Sequence, residues 1–247
     1  MNGATDKPCP DTRTAHAAAV PGAGEVVDSG AAPGVAFFDL DGTLVVGQTT
    51  LLLVKFLRKA GVVSRTFVLG TGLWFLGYRA GLLRVTEESR NQGARVFAGR
   101  SEAEVDGLMK RFTEEILVPR FHPAATAALA EHEAEGDRVV VISAALEPVV
   151  KGVCQRLGVG DFVGTACEVD GGVYSGRLLG PSPHADEKER VAAEYLKRWS
   201  IDAADCWAYA DHGSDLALLR SVGHPVAVNP RPELLAVAQQ AGWPILA

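Results

Sequence analysis

The chain has 247 residues, 47% hydrophobic and 22% charged, a balance that excludes general disorder, a fibrous repeat and a disulfide scaffold. Its 24 basic and 30 acidic residues give a net charge of -6, and no stretch forms a basic stripe, so no nucleic-acid partner is expected. Four cysteines without CxxC spacing argue against a zinc knot and for free thiols in a reducing cytoplasm. No secretory leader is evident, and no apolar run reaches the about 18 residues that a membrane span needs.

Residues 1–33 are rich in Ala, Gly, Pro, Thr and Asp without periodicity and are expected to form a disordered tail. Residues 35–39 (VAFFD) are an apolar run cut off by acid and glycine. The lack of polar alternation predicts a strand buried on both faces, hence a parallel sheet covered by helices. Residues 48–122 read as helical, with apolar faces at 51–57 and 67–83. The most apolar part, 67–78 (FVLGTGLWFLGY), is too short to cross a bilayer and reads as a buried helix or a peripheral contact with lipid or a greasy substrate. Ser101-Glu-Ala-Glu104 is a capping box, and Val105, Leu108, Met109, Phe112, Ile116 and Leu117 continue it at helical spacing towards Pro119.

After Pro123 helices and strands alternate. A helix over 124–135 stops at Gly136, and 138–143 is a second buried strand ending in the hydroxyl of Ser143. A helix over 147–157 stops at Gly158, and 162–169 with 173–178 flank Asp170-Gly-Gly172 as a hairpin. Then come a helix over 186–199, a strand over 206–210 ending before Asp211, a helix over 214–219, a strand over 225–228 and a helix over 232–241. This order predicts an α/β fold with a doubly wound parallel-sheet core formed by 34–47 and 123–247. The stretch 48–122 is too long for one crossover and is expected to be an inserted helical cap domain.

In an open parallel sheet, ligands gather beyond the carboxyl ends of the strands. Asp39 with Asp41, Ser143, and Asp211 with Asp215 fall at such ends, and Lys188 opens a helix of the same core. Clustered carboxylates repel one another and resist desolvation, so a hard divalent cation, Mg²⁺ first, is expected among them. A metal beside a free carboxylate, a hydroxyl and an ammonium is the equipment of phosphoryl transfer.

Asp39-Leu-Asp-Gly-Thr-Leu44 after a buried strand resembles the first motif of the haloacid dehalogenase superfamily. Ser143, Lys188, and Asp211 with Asp215 in YADHGSDL resemble its other three motifs, in order, and the likeness runs from about residue 35 onward. The helical insertion after the first motif, the hairpin and VNPRPELL are similar to the phosphoserine phosphatase subgroup. The resemblance implies a Mg²⁺-dependent phosphatase acting on a phosphomonoester, with Asp39 as nucleophile and an aspartyl-phosphate intermediate. It implies Asp41 as proton donor and then base, and Ser143 and Lys188 as holders of the phosphoryl group. Mg²⁺ would sit on Asp39, the backbone carbonyl of Asp41, and Asp211, with Asp215 supporting it through water or by orienting Asp211. Gln48 stands where that subgroup has a glutamate for the substrate's ammonium, and Ser214 where it often has asparagine, both departures from a phosphoserine reading. A small phosphorylated metabolite is the expected substrate. A lipid or lysolipid phosphate, transfer to an alcohol, and a binding protein with an idle site are the alternatives. His212, beside Asp211, reads as a solvent-facing loop residue.

Overall fold

The computed structural model describes residues 34–64, 66, 69–70, 91 and 93–247. The expected tail and most of the apolar segment 67–83 lie outside these residues.

The core is a parallel sheet of six strands. In chain order they are β1 (Val35–Phe38), β2 (Arg138–Leu146), β3 (Asp161–Thr165), β6 (Trp207–Ala210), β7 (His224–Val228) and β8 (Ile245–Leu246). Across the sheet the order is β3-β2-β1-β6-β7-β8, and every pairing is parallel. A separate antiparallel hairpin joins β4 (Cys167–Asp170) to β5 (Val173–Leu178). Among the described residues the α-helices seen from end to end are α1 (Thr49–Lys59), α2 (Glu102–Phe112), α3 (Pro123–Glu135), α4 (Glu147–Leu157), α5 (Asp186–Trp199), α6 (Leu216–Arg220) and α7 (Pro232–Ala241).

The central place of β1 follows from its composition. Successive side chains of a strand point to opposite faces, and here both faces are apolar. Ala36 and Phe38 join a cluster with Leu53 and Phe56 of α1, Met109 of α2, Leu129 of α3 and Val150 of α4. Val35 and Phe37 join a second cluster with Tyr195 of α5, Leu218 of α6 and Leu234 of α7. Helices therefore cover both faces, the doubly wound arrangement expected from the alternation of elements. Segment 48–122 contributes α1 and α2 to the first of these clusters.

The capping box forms in full: Ser101 Oγ accepts from the Glu104 amide at 3.3 Å, and Glu104 Oε2 accepts from the Ser101 amide at 2.8 Å. Gly136 and Gly158, both left-handed, stop α3 and α4 where expected. Beyond Phe112 the predicted helix changes its winding: Thr113–Leu117 form a wide π turn and Val118–Arg120 a tight 3₁₀ turn. Pro119 brings no N–H to the ladder, so ideal α winding does not persist there. Thr113 Oγ1 is buried without a hydrogen-bond partner among the described residues and lies on the side where Gly152 of α4 approaches. Thr113→Val keeps the shape and removes the unpaired hydroxyl. It is expected to leave stability unchanged or raise it by about 1 kcal/mol, measured by urea unfolding.

Three local expectations are corrected, and one strand is added. The second strand does not end at Ser143; it runs to Leu146 through a register shift against β3 that lets the chain bend without leaving the sheet. The single hairpin arm expected over 162–169 is two strands. Its first half becomes edge strand β3, because Thr165 turns inward and donates to the Ala144 carbonyl at 2.7 Å. Ala166 breaks the run, its carbonyl taken by the Leu179 amide at 2.9 Å. The helix expected from 214 begins with a 3₁₀ turn, Gly213–Asp215, so α6 starts at Leu216. Strand β8 was not foreseen, since two residues carry no periodicity.

Candidate active site

Asp39 is the first residue past β1, and its amide still bonds across to the Tyr209 carbonyl of β6 at 3.0 Å. Then the chain turns sharply. The Val45 amide reaches the Leu40 carbonyl at 2.9 Å and the Gly42 amide the Val45 carbonyl at 2.8 Å. That departure from strand geometry lets Asp39 and Asp41 line one cavity, which a continued strand would forbid. Gly42 makes the turn possible with φ of +87°, and a Cβ there would lie 2.2 Å from Asp211 Oδ2. Gly42→Ala meets both the left-handed backbone and that carboxylate. We expect a loss of about 2 kcal/mol or more, read as a lower urea midpoint.

The Asp41 carboxyl is gripped by the start of α1. The Thr49 amide donates to Oδ1 at 2.7 Å, and the Thr49 hydroxyl to Oδ2 at 3.2 Å. Burial pushes the Asp41 pKa above the usual carboxylate value, and the two Thr49 bonds oppose that shift.

Ser143 is buried within β2, where its Oγ accepts from the Ala145 amide at 3.1 Å. Lys188 is buried in the first turn of α5. Its Nζ lies 2.7 Å from Asp39 Oδ1 and 2.8 Å from Asp215 Oδ2. The preceding Ala185 has φ of 52°, a strained conformation for a residue with a Cβ, at the point where the chain swings Lys188 inward. Asp211 follows β6. Its carbonyl accepts from the Arg231 amide at 2.9 Å and its Oδ2 from Arg231 Nε at 3.3 Å.

Asp39, Asp41, Ser143, Lys188, Asp211 and Asp215 all line one cavity of about 260 Å³ beyond the carboxyl ends of the central strands. The sequence brings together residues as far apart as 39 and 215. Sequence reasoning gave no role to Thr49, His184 or Arg231. For Arg231 a signal was present: it follows β7 and opens α7, so it stands on the same edge of the sheet as the others.

The electrostatics are uneven. Burial pushes the Asp39 carboxyl up to about 7, with Lys188 pulling down and Asp215 adding to the rise. Burial also raises Asp211, against the pull of Arg231. Desolvation works against the Lys188 charge, but Asp39 and Asp215 outweigh it, so the ammonium is held more firmly than usual. Four aspartates line the cavity, and Lys188 is the buried cation among the lining residues. An excess of hard oxygen donors, three of which (Asp39, Asp41 and Asp211) burial holds back from ionising, fits a divalent cation of the Mg²⁺ type. The missing Cβ at Gly42 keeps the Asp211 carboxylate against the Asp41 loop, where it and the backbone can serve one ion.

A second cluster, His132, Glu135 and Asp137, lies elsewhere. Both His132 ring nitrogens are engaged within the protein, by Asp137 Oδ2 and by the Tyr209 hydroxyl, each at 2.8 Å.

The family model for haloacid dehalogenase-like hydrolases matches residues 36–220. The chain belongs to this family. A phosphoserine phosphatase of Mycobacterium tuberculosis is 29% identical over 256 residues, covering 97% of this chain and 81% of the relative. A histidinol-phosphatase of Neisseria meningitidis is 29% identical over 221 residues, covering 86% of this chain and 97% of the relative. The solved structure of a Bordetella pertussis protein of unknown function aligns with a TM-score of 0.78 at 24% identity, covering 88% of this chain and 99% of that one. That likeness bears on the fold alone. Membership of the haloacid dehalogenase-like family, with these relatives, supports a phosphoric monoester hydrolase.

Proposed function

We propose that the chain is a Mg²⁺-dependent phosphatase that hydrolyses a small phosphomonoester through an aspartyl-phosphate on Asp39. The observation that carries this reading is the buried Asp39 carboxylate at the strand end, tied to Lys188 at 2.7 Å, with Asp41 two residues on in the same cavity.

Asp39 attacks phosphorus, and the bond from phosphorus to the ester oxygen breaks as the new acyl phosphate bond forms. Asp41 gives its proton to the departing alkoxide; the burial that raises its pKa favours the protonated form this step needs. Asp41 then takes a proton from the water that opens the acyl phosphate, restoring Asp39. Thr49, bonded to both Asp41 oxygens, fixes the direction of that carboxyl. Lys188 and the Ser143 hydroxyl hold phosphoryl oxygens, and Asp215 keeps Lys188 in place at 2.8 Å. Asp39, the Asp41 carbonyl and Asp211 would hold Mg²⁺, which supplies positive charge to the phosphoryl oxygens and the carboxylates. Segment 48–122 acts as the cap that selects the substrate. The described cysteines are free thiols, in keeping with a cytoplasmic enzyme.

The test is phosphate release from a panel of phosphorylated metabolites and lysolipid phosphates, with Mg²⁺ and with chelator. Alongside it, acid-quenched enzyme is searched by mass spectrometry for a phosphoryl group on the Asp39 peptide. Mg²⁺-dependent release and an Asp39 adduct are expected. Release without that adduct overturns the nucleophile assignment, and no release across the panel overturns the phosphatase reading.

A further inference from the structure

The cavity has an outer lining besides the six residues above: Gln48, His184, His212, Ser214 and Arg231. Gln48, His184 and Arg231 are exposed, and His212 and Ser214 half-buried. None of the five is an acid. Glu233 packs its carboxylate over Gly213 but does not line the cavity.

Two of these side chains are held with donors to spare. The Arg231 Nε is fixed on Asp211 Oδ2, with the side chain 51% exposed. Among the described residues its two terminal NH₂ groups have no protein acceptor. His212 is oriented by its neighbour: the Ser214 amide donates to Nδ1 at 3.0 Å. A nitrogen that accepts an N–H carries no hydrogen of its own, so the neutral ring bears its hydrogen on Nε2 and donates from there. The mouth thus offers the outer arms of a planar cationic fork and a ring N–H, with Asp211 beside both and engaged by the Arg231 Nε alone among the side-chain hydrogen bonds of the described residues.

We propose that Arg231 and His212 form a second anion subsite, which selects phosphomonoesters whose alcohol carries a carboxylate or a further phosphate. The proposal rests on the phosphatase reading and narrows its substrate class. A guanidinium fork matches either anion. Arg231 is then a specificity residue, which would bind the second anion of the leaving group and take no part in bond breaking.

The test uses pairs of esters that differ by the second anion: phosphoglycerate against glycerol phosphate, and propanediol bisphosphate against propanediol monophosphate. Wild type is expected to favour the charged member of at least one pair by about tenfold or more in kcat/KM, and the pair that responds identifies the anion. Arg231→Gln is expected to lower that preference about tenfold, which corresponds to about 1.4 kcal/mol, through KM for the charged member. Arg231→Lys recovers part of it, and His212→Phe lowers it by a smaller factor. The Mg²⁺ concentration for half-maximal turnover is measured in parallel. If Arg231→Gln slows both members alike, or changes only the Mg²⁺ requirement, the residue acts through Asp211 and the subsite is refuted. Wild-type turnover of p-nitrophenyl phosphate without preference in either pair refutes the subsite and leaves the phosphatase reading standing. No turnover of any phosphoester removes both.

Discussion

Asp39→Asn is expected to abolish Mg²⁺-dependent phosphate release, by about 10⁴-fold or more, because an amide oxygen does not replace a carboxylate as nucleophile. The same substitution is expected to raise stability in metal-free buffer. The Asp39 carboxyl is raised from 3.8 to about 7 by burial, so the fold disfavours its charge. The sign follows from proton counting. Below about pH 3.8 both folded and unfolded chains carry the proton and the penalty is absent. Between there and about 7 the unfolded chain ionises first, so the penalty grows with pH, and above about 7 it is full. An asparagine has no such pH dependence. The variant should therefore melt a few degrees above wild type near pH 8, with on the order of 2 kcal/mol as the gain, and the difference should shrink towards pH 4. Thermal melts in chelator at several pH values measure this. A variant that melts below wild type at the alkaline end contradicts the electrostatic account of the site.

Lys188→Met should act in the opposite direction on stability. Nζ lies within 2.8 Å of both Asp39 and Asp215, and all three residues are buried. Losing the shared cation leaves two carboxylates facing each other without compensation, which costs about 3–5 kcal/mol. A melting temperature lower by roughly 10 °C follows for a chain of this size. Turnover should fall by about 10³-fold or more, since the phosphoryl oxygens lose their ammonium. Lys188→Arg is not expected to rescue either property, because at 3% exposure there is no room for the broader guanidinium. The decisive measurement is a double-mutant cycle: Lys188→Met should cost less when Asp39 is already asparagine. Equal costs in both backgrounds would mean that Lys188 does not stabilise the fold through Asp39, leaving its pairing with Asp215 and its packing.

The parts of the fold that were legible in the sequence are those with strong local signals. VAFF is apolar on both faces and lies at the centre of the sheet. Ser101 with Glu104, and Gly136 and Gly158, mark helix ends by local chemistry that tertiary contacts do not overrule. The six candidate residues were found for a related reason. Most stand just past a strand end or at a helix start, and the topology of a parallel sheet gathers such ends at one edge; Ser143 lines the same cavity from within β2, near its carboxyl end. What the sequence hid depends on distant partners. The break at Ala166 follows from Thr165 bonding to Ala144, and the continuation of β2 past Ser143 from its pairing with β3. Neither leaves a periodic trace. Thr49 was overlooked because its contribution is largely a backbone N–H, which any residue type can offer. Arg231 was overlooked because one arginine near the end of a chain resembles any surface cation until its contact with Asp211 is seen.

The hairpin β4–β5 is bonded, strand to strand, to the chain ahead of α2. The Gly99 amide reaches the Tyr174 carbonyl at 2.9 Å, the Tyr174 amide the Arg100 carbonyl at 2.9 Å, and the Glu102 amide the Gly172 carbonyl at 3.0 Å. The chain ahead of α2 and the hairpin Cys167–Leu178, more than 60 residues apart in sequence, thus share a backbone seam. A chimera that imports residues 48–122 from a relative to change substrate range has to import the matching hairpin too. Otherwise the graft arrives with severed main-chain bonds along one border, and its failure would say nothing about the residues that read the substrate.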